Sequence, residues 1–140
     1  MRKPTIGIIG NGFVGEAQAF AFSPVCDIKI YDVDPLKSTH SLNETHDSDF
    51  VFVCVPTPMY PDGNQNLEFV EEVFKYANEK AVYILKSTVL PGTTEKLNKK
   101  YSQFKIVFSP EFLTERTSKL DMLTQNRIII GGNKTLTHQV

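Results

Sequence analysis

The residues of this chain best suited to chemistry begin with Gly10-Asn11-Gly12-Phe13-Val14-Gly15, a GxGxxG run between an apolar segment and a helix-like one. Each glycine has its own task. Gly10 makes a tight turn, Gly12 lets backbone approach a pyrophosphate, and Gly15 lets helix and strand pack closely. Free N–H groups at the start of the following helix then face an anion, and a favourable charge there is worth about 0.3–2 kcal/mol. Asp32 lies 22 positions after Gly10, at the end of a second strand-like run, where a carboxylate meets an adenosine ribose. Hydrogen bonds from ribose hydroxyls to such a carboxylate are worth about 1.5–3 kcal/mol each, and its charge repels a 2′-phosphate. The pattern predicts a dinucleotide site that takes NAD in preference to NADP. Lys37 is near enough in sequence to reach the same ribose, whereas Asp34, in Asp34-Pro35, reads as a turn residue.

Other reactive side chains are fewer. Cys26 and Cys54 have no CxxC spacing, which argues against a zinc or redox motif, and both read as reduced thiols. Cys54 falls inside the apolar run Phe50–Val55, where such a setting raises a thiol's pKa and makes it inert. His40 and His46 stand beside Asp47 and Asp49, but their spacing matches no metal site, so they read as solvated loop residues. Ser109-Pro110-Glu111 reads as a helix start, with a serine cap, proline in the first position and glutamate at the positive end of the dipole. Were that helix to continue, Glu111 and Glu115 would share a face at i, i+4, poised for acid–base work or for positioning a water. A surface pair of Glu115 with Lys119 is the alternative.

The elements that must position these groups alternate between strand-like and helix-like. Strands are expected at Thr5–Gly10, Ile28–Tyr31, Phe50–Val55, Val82–Leu85 and Ile106–Phe108, with Ile128–Ile130 as a further candidate. Helices are expected at Ala17–Phe22, at Leu67–Asn78 with Asn66 as its cap, and at Thr93–Tyr101 after the Pro91-Gly92 break. This alternation predicts an α/β fold, a Rossmann-type doubly wound and mostly parallel sheet. The polar stretch from Pro35 to Asp49 is too short and too weakly patterned for a helix–strand–helix, so the sheet is expected to be abbreviated between the second strand and the next.

Length and composition predict one globular domain, which the glycine loop and Asp32 mark as an NAD-binding domain over residues 1–140. The chain is 41% hydrophobic and 22% charged with a formal net charge of −1, which argues against disorder and against nucleic acid as a partner. Its two halves differ, −5 over residues 1–70 and +4 over residues 71–140. No apolar run approaches the ~18 residues of a membrane span, and the N-terminus lacks a signal-like core, so an intracellular, cytoplasmic protein is expected. The end at Thr137-His138-Gln139-Val140 reads as a cut in or before another helix.

Four further segments extend the pattern. They are Val55-Pro56-Thr57-Pro58; Lys86-Ser87-Thr88 followed by Pro91-Gly92-Thr93; Ser109-Pro110-Glu111-Phe112-Leu113-Thr114-Glu115; and Asn126-Arg127-Ile128-Ile129-Ile130-Gly131-Gly132. In order and spacing they resemble the N-terminal domain of the UDP-glucose/GDP-mannose dehydrogenase family across nearly the whole chain. The Ser109–Glu115 segment is the most discriminating, because 2-hydroxyacid and 6-phosphogluconate type dehydrogenases share the glycine loop and the acid but not this run.

The resemblance implies NAD-dependent oxidation of a nucleotide sugar's C6 alcohol to a carboxylate, most familiarly UDP-glucose to UDP-glucuronate. By that resemblance Val14, Asp32, Lys37, Val55, Pro56, Thr57, Thr88 and Glu115 would touch NAD, with Thr88 and Glu115 nearest the chemistry. Glu111, Phe112, Leu113, Thr114 and Glu115 would border the sugar nucleotide. The family's nucleophilic cysteine and its lysine, asparagine and aspartate helpers belong to a later domain, and neither Cys26 nor Cys54 matches it. The central helical and C-terminal sugar-nucleotide domains are likewise absent from this chain, so catalysis by it alone is expected to be incomplete. A stand-alone NAD-binding or sensing module that acts through a protein partner is the alternative.

Overall fold

Five short strands, all parallel, form a single sheet in the order β2-β1-β3-β4-β5 in the computed structural model, which describes residues 2–140. They are β1 (Thr5–Ile9), β2 (Asp27–Tyr31), β3 (Phe50–Val53), β4 (Val82–Leu85) and β5 (Lys105–Phe108). Their register is continuous across the sheet, with Ile8 paired to Ile30 on one side and to Phe52 on the other. Successive side chains point to opposite faces, so β3 sends Val51 and Val53 to one layer and Phe52 to the other. This explains why the central strands read as unbroken apolar runs: both faces are covered.

One layer holds α3 (Glu68–Lys75) and α4 (Thr93–Lys100), which bury Val70, Phe74 and Leu97 against Val51, Tyr83 and Ile106. The opposite layer holds α1 (Phe13–Phe22), where Phe22 stacks on Phe52 with ring centroids 5.6 Å apart. Fully burying an aliphatic side chain such as Ile8 or Ile106 is worth about 1.5–3 kcal/mol. Two short helices complete the chain, α5 (Ser118–Thr124) packed on α1 and α6 (Lys134–Thr137) beside β5. No helix among the described residues is long and apolar enough to cross a membrane.

The sheet is abbreviated where expected: β2 is its edge, and no strand lies between Pro35 and Asp49. That stretch is nonetheless more ordered than its weak pattern suggests. It forms a 3-10 turn at Pro35–Lys37 and a helix, α2 (Leu42–His46), closed by a capping box. Ser41 Oγ accepts the Glu44 amide, and the Glu44 carboxylate accepts the Ser41 amide at 2.8 Å.

Several expectations are corrected. Ile128–Ile130 forms no strand; next to it a single antiparallel bridge joins Gly131 to Phe108. The α3 helix runs only from Glu68 to Lys75, although Asn66 Oδ1 does accept the Glu68 amide at 2.8 Å. No helix starts at Ser109: residues 109–114 are irregular, a 3-10 turn follows at Glu115–Thr117, and α5 begins at Ser118. The Glu111 carboxylate turns back to accept the Phe112 and Leu113 amides at 2.8 and 2.7 Å, a local bond that competes with helix formation. Glu111 and Glu115 therefore share no helical face. Nor does Lys119 pair with Glu115; its Nζ lies 2.8 Å from Glu16 at the surface.

His46 is not solvated. It is buried at the end of α2, with Nδ1 2.9 Å from Tyr83 Oη. Tyr83 Oη also accepts the Asn78 amide at 2.7 Å, and His46 Nε2 is buried without a hydrogen-bond partner. Burial lowers the His46 pKa from 6.5 to about 4. The unfolded chain takes up this proton as pH falls below 6.5, while the folded chain resists it until about 4. Stability contributed by neutral His46 is thus complete above 6.5 and lost as pH falls through that window. Thermal melts are expected to show Tm falling between pH 6.5 and 4, with a shallower fall in His46→Gln.

Candidate cofactor site

Every strand ends on the same edge of the sheet, and the chain order reverses between β1 and β3, which places a crevice above that point. The turn out of β1 forms its floor. Gly10 has φ +94°, a left-handed conformation, and a Cβ there would lie 2.7 Å from the Cys54 carbonyl oxygen. A Cβ on Gly15 would strike the Gly10 carbonyl oxygen, so α1 sits as close to β1 as backbone allows. At Gly12 a Cβ would meet nothing, leaving the backbone open to the crevice.

No side chain caps α1, and its first internal bond runs from the Glu16 amide to Gly12 O at 2.9 Å. The amides of Phe13, Val14 and Gly15 precede that bond and are available to an anion. Glu16 points away from this end and pairs with Lys119.

Asp32, one residue past β2, fastens the loop. Its Oδ2 accepts the Asn11 amide at 2.7 Å and its Oδ1 the Asp34 amide at 2.9 Å. Asn11 Nδ2 reaches on to the Lys37 carbonyl at 2.9 Å, and Ser38 Oγ bonds the Asp32 amide at 2.8 Å. Asp34 caps the 3-10 turn through the Leu36 amide at 3.0 Å, the turn role expected of it. Each Asp32 oxygen keeps a lone pair for a further donor.

The resulting cleft, of about 530 Å³, brings together Gly10, Gly12, Phe13, Val14, Asp32, Lys37, Val55, Pro56, Thr57, Thr88 and Glu111 from widely separated parts of the chain. Thr57 Oγ1 donates to the Thr88 carbonyl at 2.5 Å, and Gln65 Nε2 donates to the same oxygen at 2.8 Å, tying the loops after β3 and β4 to each other. Asn11 and Gly15 stand behind this surface, the first as a clasp and the second as a packing contact. Phe112, Leu113, Thr114 and Glu115 do not line it. Phe112 and Glu115 are exposed, and the Thr114 amide donates to Asp121 at 2.9 Å. A larger hollow of about 900 Å³ lies between α4 and α6 and contains none of the loop residues.

The cleft also contains Val33, together with Cys54, Lys86 and Ser87, which the sequence reading named but did not place in the site. Lys86 is buried and forms an ion pair with Glu111 at 3.1 Å. Both residues lie in segments that carry the family resemblance, but nothing in the sequence pairs them. Cys54 lies just beyond β3, not within it, and its thiol pKa is pushed up to about 12 by burial, with Glu111 adding and Lys86 opposing. Among the described residues, no group of three or more His, Cys, Asp or Glu side chains is placed to hold a metal ion.

A glycine turn with open amides, an acid at the end of the second strand and a crevice at the switch point define a dinucleotide-binding domain. A family model described as the UDP-glucose/GDP-mannose dehydrogenase family, NAD binding domain, matches residues 29–140, and the chain belongs to that family. The match begins inside β2, so the glycine loop is an observation independent of it. The chain is similar to the UDP-glucose 6-dehydrogenase of Campylobacter jejuni, with 30% identity over 94% of this chain and 42% of the relative. It is 34% identical to that of Rickettsia conorii, over 71% of this chain and 25% of the relative. A solved UDP-glucose dehydrogenase from Pyrobaculum islandicum shares the fold, with a TM-score of 0.83, 24% identity, and 99% of this chain and 43% of that one covered. The chain spans less than half the length of these relatives.

Removing the Asp32 carboxylate takes away the clasp on Asn11 and, with it, the acceptor expected to meet a ribose. Asp32→Ala is expected to weaken NAD binding about tenfold or more, and Cys54→Ser to leave it nearly intact. Equal losses in a calorimetric titration of the two variants would remove Asp32 from the site.

Proposed function

We propose that this chain is the NAD-binding half of a nucleotide-sugar dehydrogenase that oxidises the C6 alcohol of UDP-glucose, or of a similar UDP- or GDP-sugar, to the uronate. The observation that carries the reading is the convergence of open α1 amides and the Asp32 carboxylate on one cleft. The amides of Phe13, Val14 and Gly15 would hold the pyrophosphate, and Asp32, with Lys37 at the rim, the adenosine ribose. Val55, Pro56, Thr57 and Thr88 would flank the other half of the dinucleotide. When bound, NAD supplies a hydride acceptor. Glu111 faces that half of the cleft, while Glu115 would require a shift of the 109–117 segment, or contact from another domain, to take part.

The choice of sugar is supported by the relatives, which are UDP-glucose 6-dehydrogenases. The shared fold extends to a solved GDP-mannose dehydrogenase as well, with a TM-score of 0.79 and 22% identity. Full oxidation of an alcohol to a carboxylate calls for a covalent hold on the aldehyde, and a thiol with a pKa near 12, such as Cys54, is unsuited to that. This favours a chain that completes no turnover alone. It is also the observation behind a second reading, an NAD-binding module that works through a protein partner and needs no nucleophile. Retained UDP-sugar binding through the Glu111–Glu115 segment would favour the dehydrogenase half.

Calorimetric titration of the chain is expected to show saturable NAD binding with little binding of NADP, because Asp32 repels a 2′-phosphate. Equal affinity for the two, or for neither, would overturn the cofactor assignment. With NAD and UDP-glucose supplied, the chain as sole protein is expected to form no UDP-glucuronate, and product detected by chromatography would refute the incomplete-turnover reading.

A further inference from the structure

Lys86 leaves the end of β4 with its ammonium buried on the floor of the cleft, and its side chain is 8% exposed. Nζ lies 3.1 Å from Glu111 Oε2 and 3.2 Å from the Pro110 carbonyl oxygen. Glu111 Oε1 is engaged by the Phe112 and Leu113 amides, whereas Oε2 is buried and receives no aligned hydrogen bond, only the charge of Lys86. Burying two opposite charges is costly enough that apolar replacements of similar size often leave a protein at least as stable. The pair ties the end of β4 to the segment after β5, and it does so with two charges placed at the cleft wall.

The charged residues lining the cleft are Asp32 and Lys37 at one end and Lys86 and Glu111 at the other. Burial keeps the nearby Cys54 thiol protonated at ordinary pH. A dinucleotide straddles the switch point; with Asp32 on the adenosine side, the ends of β4 and β5 face the nicotinamide half. The oxidised nicotinamide ring carries a positive charge that the reduced ring lacks.

We propose that the Lys86–Glu111 pair balances the response of this cleft to the charge of the cofactor ring: Glu111 attracts the cationic oxidised ring, and Lys86 positions that carboxylate and offsets its charge, so that neither oxidised nor reduced cofactor is strongly favoured. The inference rests on the NAD reading above. Its signature is a pair of opposite shifts. Removing the carboxylate charge leaves a bare ammonium that disfavours NAD⁺, and removing the ammonium leaves a bare carboxylate that favours it.

The test is to measure Kd for NAD⁺ and for NADH, at one fixed pH, with the unaltered chain, Glu111→Gln, Lys86→Met and the double variant, each checked by its Tm. Glu111→Gln is expected to weaken NAD⁺ relative to NADH by about three- to tenfold, Lys86→Met to shift the ratio the other way, and the double variant to return it to within about twofold. A merely structural pair would weaken both forms together and lower Tm without moving the ratio. Unchanged ratios, or shifts in the same direction, overturn the inference while leaving the cofactor reading in place. Should Lys86→Met fail to fold, Glu111→Gln and the double variant still decide the matter. If the unaltered chain binds neither form, the cofactor reading falls and this inference with it.

Discussion

Three stretches of backbone meet without intervening side chains where β1 turns into α1. Gly10 lies against the carbonyl of Cys54, just past β3, and Gly15 lies against the carbonyl of Gly10. A methyl group at either glycine would push α1 off the sheet or β1 off its neighbour, and the helix N-terminus would no longer open onto the crevice. The position of every other group in the cleft follows from this contact. It sets the height of the α1 amides above the sheet, and it brings the loop after β3, with Val55, Pro56 and Thr57, level with them.

Polar side chains then hold the loops that this packing brings together. Asp32 anchors the Asn11 amide, Asn11 reaches the Lys37 carbonyl, and Thr57 and Gln65 converge on the Thr88 carbonyl. These are bonds between side chain and backbone, the kind that orders irregular segments carrying a site on a rigid sheet. Asp32 contributes to both structure and binding: the carboxylate that would receive a ribose already organises the turn beside it. The cleft is thus preorganised by the same groups that would contact the ligand, which lowers the ordering cost of binding.

Charge is distributed along the cleft with similar economy. The N-terminal end of α1 presents uncapped amides, which can hold an anion without a basic side chain. Ionised side chains stand at the two ends instead, and at one of them a buried lysine and glutamate oppose each other over a protonated thiol. On the far side of the sheet, His46 and Tyr83 form a second buried polar contact that joins α2 to β4 and ties the abbreviated edge to the core.

Local pattern in the sequence was sufficient for the five strands of the sheet, though it also suggested one at Ile128–Ile130 that does not form, and for α4, for the glycine turn and for the acid after β2, because each depends on periodicity or on a residue's own conformational range. Gly10 and Gly15 announce close backbone contact through residue type alone, and Phe50–Val53 announces burial on both faces. What the sequence could not determine depends on contacts between distant residues. His46 is polar and follows a polar segment, yet α2 folds it under the sheet onto Tyr83, 37 positions away. Ser109-Pro110-Glu111 has every local mark of a helix start, but Glu111 bonds the next two amides and pairs with Lys86, so the chain stays irregular until Ser118. That pair was illegible for the same reason: a lysine ending one strand and a glutamate after another become partners only when β4 and β5 lie side by side.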